Sequence, residues 1–378
     1  MLEDGKRDNT IDIVKGIGII LVVIGHTYGP LTHFIYLFHM AIFFIASGYC
    51  YSFKYSESIS GIVTLAKKRI KSLWLPYFVS NCAFILLNNV FLKIQFYTDN
   101  PGILTVNNID WGQTLGHYHT AKETASKLFH AFLFNQSTQL TGATWFLEAL
   151  FFTTMIFAVI DLSLGRVIKK SNRTKWILHL CIAASTLLLG SMQSRFPILS
   201  KYRLGTILIT VPVFEMGILF RCLTTKKIIK NRYYIIGMVC SIVLLIVSGQ
   251  YGSIELATHT YTNIFYFLVV SFLGWMLVYG LSKIISNSSK TSLKKMLMFY
   301  GRNTIPILIF HLAFFKPVTF FIIVIRGLPS YLLACFPVLT SNGVWWIVYA
   351  LTDIIMCTIL IVIWNKVKLT IWKKESNK

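Results

Sequence analysis

Apolar residues in this chain gather in runs too long for the strands or short amphipathic helices of a water-soluble domain. Runs of about 18 to 25 residues, the length with which a helix crosses ~30 Å of hydrocarbon, lie near 11 to 28, 34 to 53, 73 to 92 and 143 to 164. Six more follow near 175 to 193, 204 to 221, 233 to 250, 262 to 285, 303 to 325 and 344 to 365. The pattern predicts an all-α fold, a polytopic transmembrane helical bundle of about ten spans, forming one integral membrane domain over residues 1–378. A polar stretch of about 93 to 142 is the one sizeable loop, with Pro101, Gly102, Asn107, Asn108 and Asp110 as turn formers.

Charge adds the orientation. The chain carries 36 Lys and Arg against 14 Asp and Glu, a formal net charge of +22. Of those 36, 27 fall in the tails and even-numbered connections, among them Lys6, Arg7, Lys67, Lys68, Arg69, Lys71, Lys169, Lys170, Lys226, Lys227, Lys290 and Lys378. Only seven fall in the odd-numbered connections, namely Lys93, Lys122, Lys127, Arg195, Lys201, Arg203 and Arg326. Lys15 and Lys316 lie inside spans. Alternation this regular is the positive-inside signature of a multi-pass cell-membrane protein with both termini cytoplasmic. A nucleic-acid partner would need the basic residues on one soluble face, and they are spread over helix ends instead. The seven cysteines sit in or beside apolar segments without a CxxC pair, so they are expected to be core residues and not disulfides or metal ligands. The first apolar run lacks a small-residue cleavage site and is expected to remain as the first span.

Against this background the ionisable residues inside spans are the candidates for chemistry, because a charge at mid-depth costs at least about 2.5 to 3.5 kcal/mol. The first span reads IDIVKGIGIILVVIGHTYGP, with Asp12, Lys15 and His26. Lys15 and His26 are eleven residues apart, close to three turns, so they share a helix face about 16 Å apart along the axis. Asp12 shares it, and is expected to orient or neutralise Lys15. A tight return places His39 of the second span near the depth of His26. A neutral imidazole can take a proton from an attacking hydroxyl and return it to a leaving group, while a lysine near the opposite face suits anionic phosphate. Together they point to acyl transfer from a cytoplasmic donor to an alcohol on the other side of the bilayer.

These residues carry a resemblance. IDIVKGIGIILVVIGHTYGP followed by FHMAIFFIASGYCYS resembles the opening of the acyltransferase family 3 membrane proteins, and within them the fucose 4-O-acetylase-related sugar O-acetyltransferases. AKKRIKSLWLPYFVSN, TWFLEALFF and GRNTIPILIFHLAFF are similar to further family blocks. The family pattern of Arg, ten residues, then His is met with Lys15 in the Arg position, which keeps the charge and loses the bidentate fork. The resemblance implies a ten-helix enzyme that uses acetyl-CoA, or another acyl-CoA, as acyl donor to O-acylate carbohydrate on the far side of the membrane; the expected case is O-acetylation of an extracytoplasmic or lipid-linked glycan of a bacterial cell envelope, with no metal. The basic cluster with Lys68 and Arg69 reads either as a topology determinant and lipid-headgroup anchor or, with Lys15, as a docking patch for the CoA phosphates, Arg69 standing in the family block; the resemblance leaves room for envelope polysaccharide assembly proteins as partners. Many relatives carry a fused extracytoplasmic hydrolase-like domain, and none is expected here.

Other positions have a plainer alternative. Trp145 and Glu148 share a face at the outer end of the fourth span and suit a sugar, although a tryptophan there also serves the aromatic belt. Glu215 needs a cationic partner. His117 and His119 lack a third ligand for a metal. Asn303 reads as a helix cap and His311 as a core histidine. The rival classes are a secondary transporter or flippase, which would show an inverted repeat, and a scaffold, in which His26 would be dispensable.

Overall fold

The computed structural model describes residues 8–106, 113–167, 172–224, 230–289 and 291–376. Asn107, Asn108 and Asp110, and the basic residues Lys6, Arg7, Lys169, Lys170, Lys226, Lys227, Lys290 and Lys378, lie outside them. The main helices are α1 (Asn9–Gly25), α2 (His39–Tyr49), α3 (Leu75–Leu86), α4 (Trp145–Val167), α5 (Asn172–Ser191) and α6 (Leu204–Thr224). They continue as α7 (Asn231–Gly249), α8 (Ile264–Asn287), α9 (Thr291–Arg302), α10 (Thr304–Phe314), α11 (Lys316–Arg326) and α12 (Trp345–Ser376). Among the described residues the strands are one two-residue pair, β1 (Ile254–Glu255) and β2 (Thr260–Tyr261), antiparallel with Ile254 opposite Tyr261.

Among the described residues seven segments are long and apolar enough to cross a bilayer: Thr32–Tyr49, Gln139–Arg166, Pro197–Thr224, Asn231–Gly249, Ile264–Asn287, Thr304–Arg326 and Trp345–Val367. Each falls on an expected run. The other three runs form shorter or broken helices. α1 has 17 residues, the apolar part of α5 is Trp176–Ser191, and the third run is interrupted. There a π-helical turn at Ile70–Trp74 leads into α3, and Asn88–Lys93 forms a separate short helix. The loop expected over 93 to 142 contains a helix, Ala121–Phe132. Its start is a capping box, Thr120 Oγ1 accepting from Glu123 N while the Glu123 carboxylate accepts from Thr120 N. Those backbone and side-chain bonds from Thr120 hold the Glu123 carboxyl below its ordinary range.

The chain divides into two compact units, Met1–Gly18 with His33–Val79 and Thr144–Arg302, and Ile19–Thr32 with Ser80–Ala143 and Asn303–Lys378. In the first unit, small residues permit close helix crossings of the kind that packs membrane bundles. A Cβ at Gly217 of α6 would lie 1.9 Å from Ile45 O of α2, and one at Gly48 would lie 1.8 Å from Phe214 O. Around this crossing Tyr51, Leu65, Phe157, Phe214 and Ile218 form a buried cluster. Likewise α1 meets α9, where a Cβ at Gly16 would lie 2.0 Å from Leu297 O and one at Gly301 1.7 Å from Asp12 O.

In the second unit, Phe84, Leu92, Tyr97 and Leu140 pack with Phe310 of α10. Ile103, Ile323, Leu332, Leu333 and Cys335 form a second cluster. The buried Lys316 at the start of α11 donates to Leu333 O and Cys335 O, both at 2.9 Å. An ammonium inside a membrane protein is tolerable when carbonyls receive its protons, and here that contact anchors the 3-10 turn Ser330–Ala334.

Candidate active site

His26 follows α1 directly, with His26 N donating to Val22 O at 3.1 Å to continue the helical ladder. In the same unit its ring meets that of His311, on α10, with centroids 4.9 Å apart and planes at 71°. In the neutral form, the tautomer of each ring is set by its neighbours. A backbone carbonyl can only accept, so His26 Nδ1, 2.8 Å from Val22 O, carries a proton. His311 Nδ1 does the same toward Ile307 O (3.1 Å) and Leu308 O (3.0 Å). Each ring therefore presents Nε2 as its lone-pair nitrogen. His311 is fully buried and its Nε2 has no hydrogen-bond partner among the described residues, which is the condition of a base awaiting a donor such as a hydroxyl. The residue expected to be a satisfied core histidine is thus the ring partner of His26.

His39 belongs to the first unit. It is buried, its Nδ1 lies 3.1 Å from Ile35 O, and its ring lies 4.7 Å from that of Tyr36. Asp12, also in the first unit, is buried and ion-paired with Arg302 of α9, Nε to Oδ2 at 2.9 Å. The Gly16 and Gly301 crossing brings these helices close enough for that pair. Sequence reasoning looked to Lys15 for Asp12 because the two are neighbours on one helix; Arg302, 290 residues away, gave no such signal. Lys15 is half-buried.

Around the basic cluster, Lys68 is exposed and donates to Tyr55 OH at 2.6 Å, its ammonium also lying 5.0 Å from that ring's centroid. Arg69 differs. Its Nε is buried without a hydrogen-bond partner among the described residues, which leaves a guanidinium donor uncommitted there.

Trp145 and Glu148 open α4 as expected, and both are buried. They enclose Arg203. Its Nε lies 3.7 Å from Glu148 Oε2, its guanidinium lies 5.8 Å from the Trp145 ring centroid, and Nη1 donates to Ala257 O.

Of one further cluster the sequence pointed only to Glu215. His179 of α5 bridges two buried carboxylates, Nδ1 to Glu215 Oε1 at 3.0 Å and Nε2 to Asp161 Oδ1 at 3.1 Å. Ser56 Oγ donates to the other Asp161 oxygen. The cationic partner that Glu215 required is therefore an imidazole, not a lysine or arginine. Two acceptors on one ring require protons on both nitrogens, or one carboxyl that keeps its own. The signal available was the placement of three ionisable residues in apolar runs.

No group of three or more His, Cys, Asp or Glu among the described residues is arranged to hold a metal ion. No curated protein and no solved structure matches the chain. A family match does exist, to the family described as Acyltransferase domain, over residues 8–364. That match spans both units and takes in His26, His311, Asp12, Arg69 and Glu148, and with seven helices long and apolar enough to cross a bilayer, the chain belongs to this acyltransferase family as a multi-pass membrane protein.

Proposed function

We propose that this protein is an acyl-CoA-dependent O-acetyltransferase of the inner or plasma membrane of a bacterium, related to the fucose 4-O-acetylase-like enzymes. It moves an acetyl group from cytoplasmic acetyl-CoA to a hydroxyl of an extracytoplasmic or lipid-linked envelope glycan. The observation that carries the reading is the His26 and His311 pair, in which both Nδ1 protons are committed to backbone carbonyls, the ring centroids lie 4.9 Å apart, and His311 Nε2 has no hydrogen-bond partner among the described residues.

In the proposed step, His26 Nε2 accepts the proton of the sugar hydroxyl as its oxygen attacks the thioester carbonyl. The tetrahedral centre then collapses, the C–S bond breaks, and the imidazolium returns its proton to the CoA sulfur. General base catalysis of this kind contributes about 10²- to 10⁴-fold. His311 holds the ring of His26 at an angle, and its unpartnered Nε2 gives the acceptor a second polar contact. Lys15, Lys68 and Arg69 serve the anionic donor, Arg69 with the uncommitted Nε. Asp12, fixed by Arg302, sets the start of the helix that carries Lys15. His39, Trp145 and Glu148 belong to the acceptor side.

The test combines two measurements. Purified protein in nanodiscs is supplied with acetyl-CoA and an envelope glycan extract, and free CoA thiol is followed. The glycans are then analysed for acetyl esters by mass spectrometry. Thiol release matched by new O-acetyl esters supports the reading. Movement of glycan across the membrane without thiol release would identify a transporter instead.

A further inference from the structure

We propose that Arg203 is the centre of an anion subsite for the acceptor, receiving a carboxylate or phosphate oxyanion carried by the glycan. The inference rests on the O-acetyltransferase reading above and names the class of acceptor it uses. Its first support is where positive charge occurs. Seven basic residues lie in the odd-numbered connections, from which the topology pattern otherwise excludes them, and three of these seven, Arg195, Lys201 and Arg203, fall within nine consecutive residues. Positive charge on the outer side opposes the orientation signal, so a role other than topology is required of it. Arg195 and Lys201 are exposed.

The second support is the mounting of the Arg203 side chain. Glu148 lies beside Nε, Ala257 O receives Nη1, and the face of Trp145 backs the guanidinium. Nη2 has no partner among the described residues, and the side chain is 35% exposed. The plane of the group is held on three sides with one donor edge open, and that edge matches the paired oxygens of a carboxylate or phosphate. Because Glu148 offsets the charge of Arg203, attraction for an anion comes from Arg195 and Lys201, while the open edge of Arg203 supplies the geometry.

A third observation concerns the backbone. Tyr202 and Arg203 both stand at φ +53°, in the left-handed region that bulky residues rarely adopt. Such strain persists where the surroundings over-determine it and gathers at ligand clamps. Arg203 closes the 3-10 turn Lys201–Arg203 and directly precedes α6, with its side chain against Trp145 and Glu148.

The test is equilibrium binding of three radiolabelled probes to the full chain in nanodiscs, without acyl donor: methyl glucuronide, its neutral counterpart methyl glucoside, and inorganic pyrophosphate. The wild type is expected to bind at least one anion roughly tenfold or more tightly than the glucoside, as one charged hydrogen-bond pair permits. The preferred anion then separates a sugar carboxylate from a lipid-linked phosphate. Arg203→Gln is expected to bring the anion-to-glucoside ratio close to one, and Arg203→Lys to keep part of it. The double variant Arg203→Gln with Glu148→Gln removes the carboxylate that the single change leaves alone, and the same loss is expected. A ratio is immune to partial misfolding, which lowers all probes together. Equal wild-type binding of glucoside and both anions, or an unchanged ratio in Arg203→Gln, overturns the proposal. Because no donor is present, failure of acetyl transfer in the same preparation would count against the enzyme reading and leave this binding result standing.

Discussion

Replacing His179 by alanine is expected to be among the most damaging single changes in the first unit, and the reason is electrostatic. The side chains of His179, Asp161 and Glu215 are 3%, 3% and 6% exposed, so neither carboxylate can turn to water when the imidazole is removed. Breaking a buried ion pair by deleting one partner costs about 3 to 5 kcal/mol, and here one deletion removes the imidazole partner of two carboxylates at once, Asp161 keeping the bond from Ser56. Loss of ring packing adds to this, since His179 stacks on Phe157 at 5.5 Å and meets Trp176 at 5.7 Å. His179→Phe separates the two terms, because phenylalanine keeps the stacking and removes both N–H donors. If the charges dominate, both variants lose stability by a similar amount, roughly two to nearly four orders of magnitude in the folding equilibrium at 1.4 kcal/mol per tenfold. If packing dominates, phenylalanine restores most of it. Denaturation by a graded fraction of ionic detergent in mixed micelles, followed by circular dichroism, reads the difference. A cost below about 1 kcal/mol for both variants would refute the account of this cluster as a buried ion network. Substituting all three residues with apolar side chains of similar volume is expected to recover the loss, because such replacement is often neutral or stabilising.

Three further outcomes follow from local geometry. Gly301→Ala places a Cβ 1.7 Å from Asp12 O and 3.0 Å from Gly16 N, so α1 and α9 must separate; overpacking predicts a loss of about 1 to 3 kcal/mol, and a neutral result in the same denaturation assay would contradict it. Lys316→Met removes the donor to Leu333 O and Cys335 O, and amide exchange in residues 330 to 336 should rise by roughly tenfold, as expected for orphaned carbonyls; unchanged exchange would show that the turn does not depend on the lysine. In the β1–β2 hairpin, burial raises Glu255 to about 7 from 4.5. Its proton is held more tightly folded than unfolded, so hairpin stability is complete below 4.5 and falls as pH rises through about 7; exchange protection of the hairpin, corrected for intrinsic rates, should drop across that window in wild type and stay flat in Glu255→Gln.

Much of the fold was legible because apolar runs of spanning length have few alternatives in a bundle. The seven long segments fall where hydropathy placed them. The short α1 and the break at Ile70–Trp74 were less visible, since hydropathy reads composition and is blind to where a π turn interrupts a helix. The helix Ala121–Phe132 had its start written as Thr120 and Glu123, a spacing that marks a capping box, but it lies in a polar stretch where no apolar run drew notice. The site was partly legible. His26 stood out by its setting in oil, and its partner did not, because a ring contact between residues 26 and 311 leaves no trace in local spacing. Asp161, His179 and Glu215 each looked like an isolated polar residue in an apolar run, and only the packing of α4, α5 and α6 joins them. Arg203 was counted among the seven basic residues that stand against the topology pattern, and the same count, taken by loop, already showed that its loop held more than its share.

The account depends above all on His26 Nε2 as the base that deprotonates the acceptor. The direct measurement is the rate of acetyl ester formation from acetyl-CoA on the envelope glycan by wild type and His26→Gln in nanodiscs, at saturating donor. Glutamine keeps the polarity and approximate size of the side chain and loses the base. A fall of about 10²- to 10⁴-fold in kcat, with donor binding retained, is the predicted result. Ester formation by His26→Gln within a few fold of wild type would contradict it.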